Sequence, residues 1–277
     1  MCPTTVPRPE FAPVQGLAPL TRDEAAALAE TLPVTPFFVI LYAGLHHGLD
    51  RAFVAGSRTH PTAAVVEHRG TWGEPEYFGT DAEAGWRILS RVPGWFCLNG
   101  SDEDLALFRP VLARELRIPF HEVGDLFFVL EGPPIAHPHP AVRLLRLQDI
   151  PLLRRFEAPV WGNSYRTFEE MLTEGIVAGA IVNDRVVSVA LVSAANPRYA
   201  DVGVHTLEPF RGHGLSAAAA SLVAGEVRAR GLIPIWSTGG NNLASQRVAR
   251  KVGFRPSGRG AYLVFEDLKA SGGFRPR

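Results

Sequence analysis

The run Arg211-Gly212-His213-Gly214-Leu215-Ser216, followed at once by Ala217-Ala218-Ala219-Ala220-Ser221, decides how the second half of this 277-residue chain is read. It stands between an apolar stretch that reads as a strand, residues 200–206, and a long helical pattern over residues 215–230. Amides in the first turn of a helix have no intrahelical acceptor and lie at the positive end of the macrodipole. Such a start can hold a pyrophosphate. The two glycines let the main chain approach it, the alanines keep the helix face low, and Arg211 adds a positive charge beside it.

Outward from this turn, helix and strand patterns alternate. Residues 142–147 read as a strand, Asp149 as the cap of a helix running to 157, and Thr167 as the cap of a second helix with Phe168, Met171 and Leu172 on one face. Strands over 176–182 and 186–194 meet at Asn183-Asp184, a tight hairpin signal. The strand at 200–206, the helix at 215–230, a strand at 233–237, a helix at 243–251 and a strand at 262–265 complete the series. The predicted fold class is α/β with a mixed sheet.

Further along, Asn242-Leu243-Ala244-Ser245 opens a helix that leads to Lys251-Val252-Gly253-Phe254. These two stretches and the glycine-containing run, in this order and separation, resemble the Gcn5-related N-acetyltransferase (GNAT) superfamily over roughly residues 142–266. That family's acyl-CoA signature is R-x-x-G-x-A/S opening a helix, then N-x-x-A/S and K-x-G-F. The resemblance implies a sheet whose central strands splay apart, acetyl-CoA as co-substrate without a metal, and direct acyl transfer to a primary amine in a ternary complex. It further implies that Arg211, Gly212, His213, Gly214, Leu215 and Ser216 hold the CoA pyrophosphate. Val204 and Thr206 would pair with the pantetheine arm, and Asn242 and Ser245 would contact the cofactor near its thiol end.

Many members carry a tyrosine seven residues after the asparagine to protonate the leaving thiolate, but here that position is Ala249. Ser245, Tyr262 or solvent remain as the acid. For the base, Asp201 and His205 are candidates, since alternate strand residues face one side and Gly203 stands between them. Glu208 would shape the turn before the phosphate loop. Trp161, Asn163, Ser164 and Tyr165 lie where similar enzymes build part of the acceptor wall. A small-molecule or peptide amine is the expected acceptor. The missing tyrosine keeps a catalytically silent CoA-binding module as the alternative.

Hydrophobic residues make up 46% and charged residues 20% of the chain, a mixture able to bury a core. Two cysteines, Cys2 and Cys97, cannot form a disulfide framework or a four-ligand zinc site. The longest apolar stretch, residues 36–45, is too short to span a bilayer, so a cytoplasmic protein without membrane contact is expected. The formal net charge of zero divides into −7 over residues 1–140 and +7 over 141–277. A basic half could attract a polyanion, but its aromatic residues are not interleaved with basic ones, which argues against nucleic acid. Acidic and basic halves packed on each other explain the split equally well.

Four prolines between Gly132 and Pro140 mark a linker and divide the chain into residues 1–140 and 141–277. His137 and His139 within it lack companions for a metal site. Before it, helices are expected over 22–32 and 103–116 and a strand over 126–130, with strand or short-helix runs at 37–42, 51–55, 63–68, 86–89 and 95–98. His46-His47 reads as a helix end. His121-Glu122 begins like a zinc-protease motif, but Asp125 stands where the second histidine belongs. This first half has no phosphate loop of its own, and its architecture is loosely similar to the degenerate acetyltransferase-like domain of glycine N-acyltransferase-like proteins. Its expected role is to close one side of the acceptor cleft; the reading leaves a homodimer open.

Overall fold

Capping side chains set many of the element boundaries. The Thr21 hydroxyl accepts from the Glu24 amide while Glu24 reaches back to the Thr21 amide, a capping box that starts α1 (Arg22–Ala29). Ser101 caps α4 (Asp102–Leu116), Thr167 caps α6 (Phe168–Thr173), and Asn242 caps α8 (Leu243–Val252). Asn183 and Asp184 both take positive φ, 49° and 55°, in the two-residue turn joining β7 (Val177–Val182) to β8 (Arg185–Ala195).

The computed structural model describes residues 11–71, 73–157 and 164–276. The first half contributes α1, α2 (Val39–His46), β1 (Arg51–Gly56), β2 (Pro61–Glu67), β3 (Glu76–Gly79), α3 (Ala82–Leu89), β4 (Cys97–Gly100), α4 and β5 (His121–Val129). The second contributes β6 (Val142–Leu144), α5 (Ile150–Leu153), α6, β7, β8, β9 (Tyr199–Thr206), α7 (Leu215–Ala229), β10 (Ile233–Gly239), α8, β11 (Arg255–Val264) and α9 (Glu266–Ala270). The expected order of strand, two helices, three strands, helix, strand, helix, strand is present after the linker. The first half repeats it from the two helices onward.

Among the described residues eleven strands join in one sheet, ordered β1-β2-β3-β4-β11-β5-β10-β9-β8-β7-β6. The halves therefore exchange their last strands. β5 pairs with β10 of the second half, from Ile235↔Val129 to Gly239↔Asp125, and β11 pairs with β4 of the first, from Ala261↔Gly100 to Val264↔Cys97. Between them β5 and β11 run antiparallel from Arg255↔Val129 to Val264↔His121. The parallel pairs are β3 with β4 and β9 with β10, one in each half.

One sheet face carries α3, α4, α7 and α8. Ala217, Ala219, Ala220 and Val223 pack on Val192, Val202, Trp236 and Phe128, and Leu105 and Phe108 pack on Tyr77, Ala261 and Leu263. The other face carries α1 and α2, which cover Ala52, Val66, Ala194 and Ile235, and α5 and α6, which cover Val177, Val189 and Leu191. A buried Ile235 on one face and Trp236 on the other show a strand covered on both sides.

Several boundaries differ from the sequence expectations. Of the runs read as strand or short helix, residues 39–42 lie in α2 and residues 86–89 in α3. β3 has no counterpart in the sequence reading. The strand expected over 142–147 ends at Leu144, and Asp149 caps no long helix. Its carboxylate is taken by the Arg143 guanidinium at 2.7 and 2.8 Å and the Arg146 amide at 2.8 Å, and α5 stops at Leu153. The linker is tied down by Ile135 N donating to Val252 O at 2.8 Å and by His137 Nε2 at 2.9 Å from Lys251 O.

Candidate active site

The parallel ladder between β9 and β10 has three rungs, Ile233↔Tyr199, Pro234↔Ala200 and Ile235↔Asp201, and then stops. β9 continues to Thr206 and β10 to Gly239, each held only on its far side, by β8 and by β5. The two strands form a fork, and the edge of β9 that faces β10 is unpaired from Val202 onward. Val204 and Thr206 lie on that edge.

Asp201 sits at the apex of the fork. It is only 5% exposed, and its carboxylate accepts from Ser237 N at 3.0 Å, from Ser237 Oγ at 3.1 Å and from Ser193 Oγ. Ser193 is the extra residue of a bulge in β8 between Val192 and Ala194. Burial pushes the Asp201 carboxyl above its ordinary range, against the pull of these three donors. As expected, Asp201, Gly203 and His205 share a face. The His205 ring stands edge-on to Phe156 with centroids 5.9 Å apart, and burial, then the Arg211 charge, lowers its pKa.

The turn that follows β9 is open. Gly212 and Gly214 take φ of +85° and +79°, and a Cβ built on either meets nothing within 4 Å. Left-handed backbone with free space above it is where glycine both eases the fold and leaves room for a ligand. No side chain caps α7, and among the described residues no acceptor takes the amides of residues 212–217. Arg211 is anchored by Nε donating to Thr206 O at 3.2 Å, and His213 is exposed. Ser216 is tied to the end of β9 by a hydroxyl chain, Ser188 Oγ to Thr206 Oγ1 at 2.6 Å and Thr206 Oγ1 to Ser216 Oγ at 2.7 Å. Leu215 is buried under the turn, and the Glu208 carbonyl accepts from Arg211 N at 3.1 Å. The donor set fits a diphosphate.

At the matching turn of the first half several of the corresponding donors are already taken. The Asp81 carboxylate caps α3 through Ala84 N at 2.9 Å, Asp104 takes Gly79 N at 3.1 Å, and the amides of Thr80 and Asp81 go to Thr62 O at 2.8 and 2.9 Å. Two carboxylates at that turn oppose a phosphate.

On the far side of the fork, Asn242 is exposed and its side-chain oxygen accepts from Ser245 N at 3.1 Å. Ser245 Oγ accepts from Trp236 Nε1 at 2.9 Å. Ala249 is fully buried in the core beside Trp236 and Phe254 and has no proton to give. The buried Tyr165 belongs to the core against α6, while Ser164 Oγ donates to Ser193 O at 3.4 Å, next to the apex. Trp161 and Asn163 lie outside the described residues. Cys97 is buried and its thiol is pushed strongly up by desolvation, which keeps it protonated.

One acid went unrecognised in the sequence as a site residue. Asp125, on β5, is 6% exposed, and burial, then the nearby Asp201 and Glu76, raises its pKa to about 7. The signal was a carboxylate set directly before the apolar run Leu126-Phe127-Phe128-Val129 of a strand. Tyr262 stands beside it on β11, its phenol pushed well up first by burial and then by Asp125. Among the described residues no group of three or more histidine, cysteine or acidic side chains could hold a metal ion, and no helix is long and apolar enough to cross a membrane.

Comparison with known proteins agrees with this geometry. No curated protein sequence matches the chain. A GCN5-related N-acetyltransferase-like protein from Streptococcus suis superposes with a TM-score of 0.64 at 17% identity, covering 87% of this chain and 98% of that one. A Drosophila protein gives a TM-score of 0.62 at 14% identity, covering 90% and 98%. A tandem GNAT protein from the clavulanic acid biosynthesis pathway gives 0.56 at 14% identity, covering 90% and 97%. These likenesses span both halves of the fold. Residues 152–263, which contain the fork, the uncapped turn and α8, match the family model for GNAT acetyltransferase.

Proposed function

We propose that the protein transfers an acetyl group from acetyl-CoA to a primary amine, by direct attack within a ternary complex. The observation that carries this reading is the adjacency of the open β9/β10 fork and the uncapped start of α7. The amides of residues 212–216 and Arg211 would hold the diphosphate, and the edge of β9 at Val204 and at the Thr206 amide, the Thr206 carbonyl being engaged by Arg211 Nε, would pair with the pantetheine amides. Acetyl-CoA supplies an activated thioester. Asp201 fixes the apex by holding β10 through Ser237, so the fork keeps its opening. Donors arranged beforehand around a reacting carbonyl are an effective source of rate. Asn242 and Ser245 border the thiol end, and the face carrying Gly203 and His205 receives the acceptor.

Calorimetry with acetyl-CoA, and thiol release screened over amino acids, polyamines, aminoglycosides and peptide N-termini, test the proposal. Arg211→Glu replaces an attraction for the diphosphate by a repulsion and should weaken acetyl-CoA binding by about 10- to 100-fold, the scale of one charge-assisted hydrogen bond. Unchanged affinity would refute the phosphate assignment. The buried Ala249 favours a second reading, a CoA-binding module without turnover, which predicts calorimetric binding and no thiol release with any amine.

A further inference from the structure

The geometry points to Asp125, a residue of the first half, as the group that takes the proton from the acceptor amine at the fork of the second half. This rests on the transferase reading above and adds to it the identity of the base. The exchanged strand β5 lies directly beside β10, the fork strand whose other edge is open. In register, Asp125 stands opposite Gly239 on β10 and Gly260 on β11. It is flanked on both sides by residues without side chains; over Gly239, on the side of the fork, stands the Asn241 carboxamide oxygen, 3.1 Å from where a Cβ would lie, and over Gly260 stands the Phe37 ring. Side chains in lateral register share a face, which puts Asp125 on the face of Ser237 and Asp201, toward which the acceptor comes. Asp201 itself is saturated by three donors.

The groups that act on Asp125 are Asp201 on β9, Glu76 on β3 and Tyr262 on β11, with its own neighbour's amide, Leu126 N. From the segment before α2, Phe37 packs on Phe127 and against Gly260, an apolar roof. Buried among like charges, the carboxyl titrates at about 7, matched to deprotonating an amine near neutral pH. Both Asp125 and Asp201 are acidic, so the pocket also favours an acceptor arriving as its ammonium.

The proton balance is complete. The ammonium gives one proton to Asp125, directly or through one water, which frees the nitrogen lone pair. The N–C bond forms as the thioester C–S bond breaks with its electron pair to sulfur. The second N–H proton neutralises the departing thiolate, and Asp125 releases its proton to solvent.

The test compares wild type, Asp125→Asn and Asp125→Glu in thiol release from acetyl-CoA, with the amine from the panel above that turns over fastest, between pH 5.5 and 9. The expected result for Asp125→Asn is a loss of kcat by about 100-fold or more. Its affinity for acetyl-CoA in calorimetry should be unchanged, the acidic limb with midpoint near 7 should be absent, and Asp125→Glu should recover part of the rate. A folded Asp125→Asn chain that keeps the wild-type rate and limb overturns the inference and leaves the transferase reading intact. A wild-type chain that binds acetyl-CoA and acylates no amine overturns both.

Discussion

Replacing Asp125 by asparagine should make the protein more stable above neutral pH, although it removes the proposed base. The carboxyl is raised from an ordinary 3.8 to about 7, so the folded chain holds its proton more tightly than the unfolded chain does. For an acid with a raised pKa, stability is fully present below pH 3.8 and falls as pH rises to about 7. At 1.36 kcal/mol per pH unit, a shift of about three units amounts to at most about 4 kcal/mol, a large share of the ~5–15 kcal/mol of a typical domain. Asparagine keeps the shape and carries no charge. Urea denaturation at pH 4.5 and pH 8.5 should show the variant nearly level with wild type at the lower pH and more stable by a few kcal/mol at the higher. Repulsion with Asp201 couples the two acids, so the midpoint of the wild-type curve belongs to the pair. A variant less stable at pH 8.5, or stabilised equally at both values, would refute the reasoning. The experiment also separates lost chemistry from lost folding.

Two further outcomes are expected. His68 is buried between Asp50, 2.7 Å from Nδ1, and Glu76, 3.1 Å from Nε2; burial alone would lower its pKa, but the two carboxylates raise it to about 10. His68→Gln should cost about 3–5 kcal/mol at pH 6 by leaving buried carboxylates without a counter-charge, and wild-type stability should decline as pH rises from about 6.5 toward 10, both read by denaturant titration. A chain of residues 141–277 alone should aggregate, because β10 and β11 lose the strand between them and Phe128 and Leu130 leave the core. A monomeric, cooperatively unfolding fragment with intact acetyl-CoA affinity would contradict the strand exchange.

The second half was legible because its signals are local. A hairpin announced by Asn183-Asp184, a cap at Thr167 and a glycine-opened helix at Leu215 depend on neighbours a few residues away, and each is where the sequence puts it. The first half was harder. α2 is apolar almost throughout, Val-Ile-Leu-Tyr-Ala-Gly-Leu, so its periodicity cannot separate strand from helix. β3 has four residues, begins with a buried glutamate and holds β4 by the single rung Glu76↔Asn99. The exchange of β5 and β11 is invisible to any local pattern, since both halves of a duplicated order present the same strand to the same kind of neighbour. Asp125 was missed for that reason. Its strand was expected to begin at Leu126, and its meaning comes from Gly239 and Asp201, more than 70 residues away in sequence.

The place of β11 in the sheet bears on how the molecule is made. Of the strands described it is the last in chain order, and so is made after the other ten, yet it ends between β4 and β5, near the middle of the sheet. Until it emerges, the nascent amino-terminal portion holds β4 with one vacant edge, open to pairing with a neighbouring chain. A shortened translation product that stops ahead of Arg255 would lose a plank from the centre of the floor rather than from its border. Synthesis through Val264 is thus the step that covers the edge of β4.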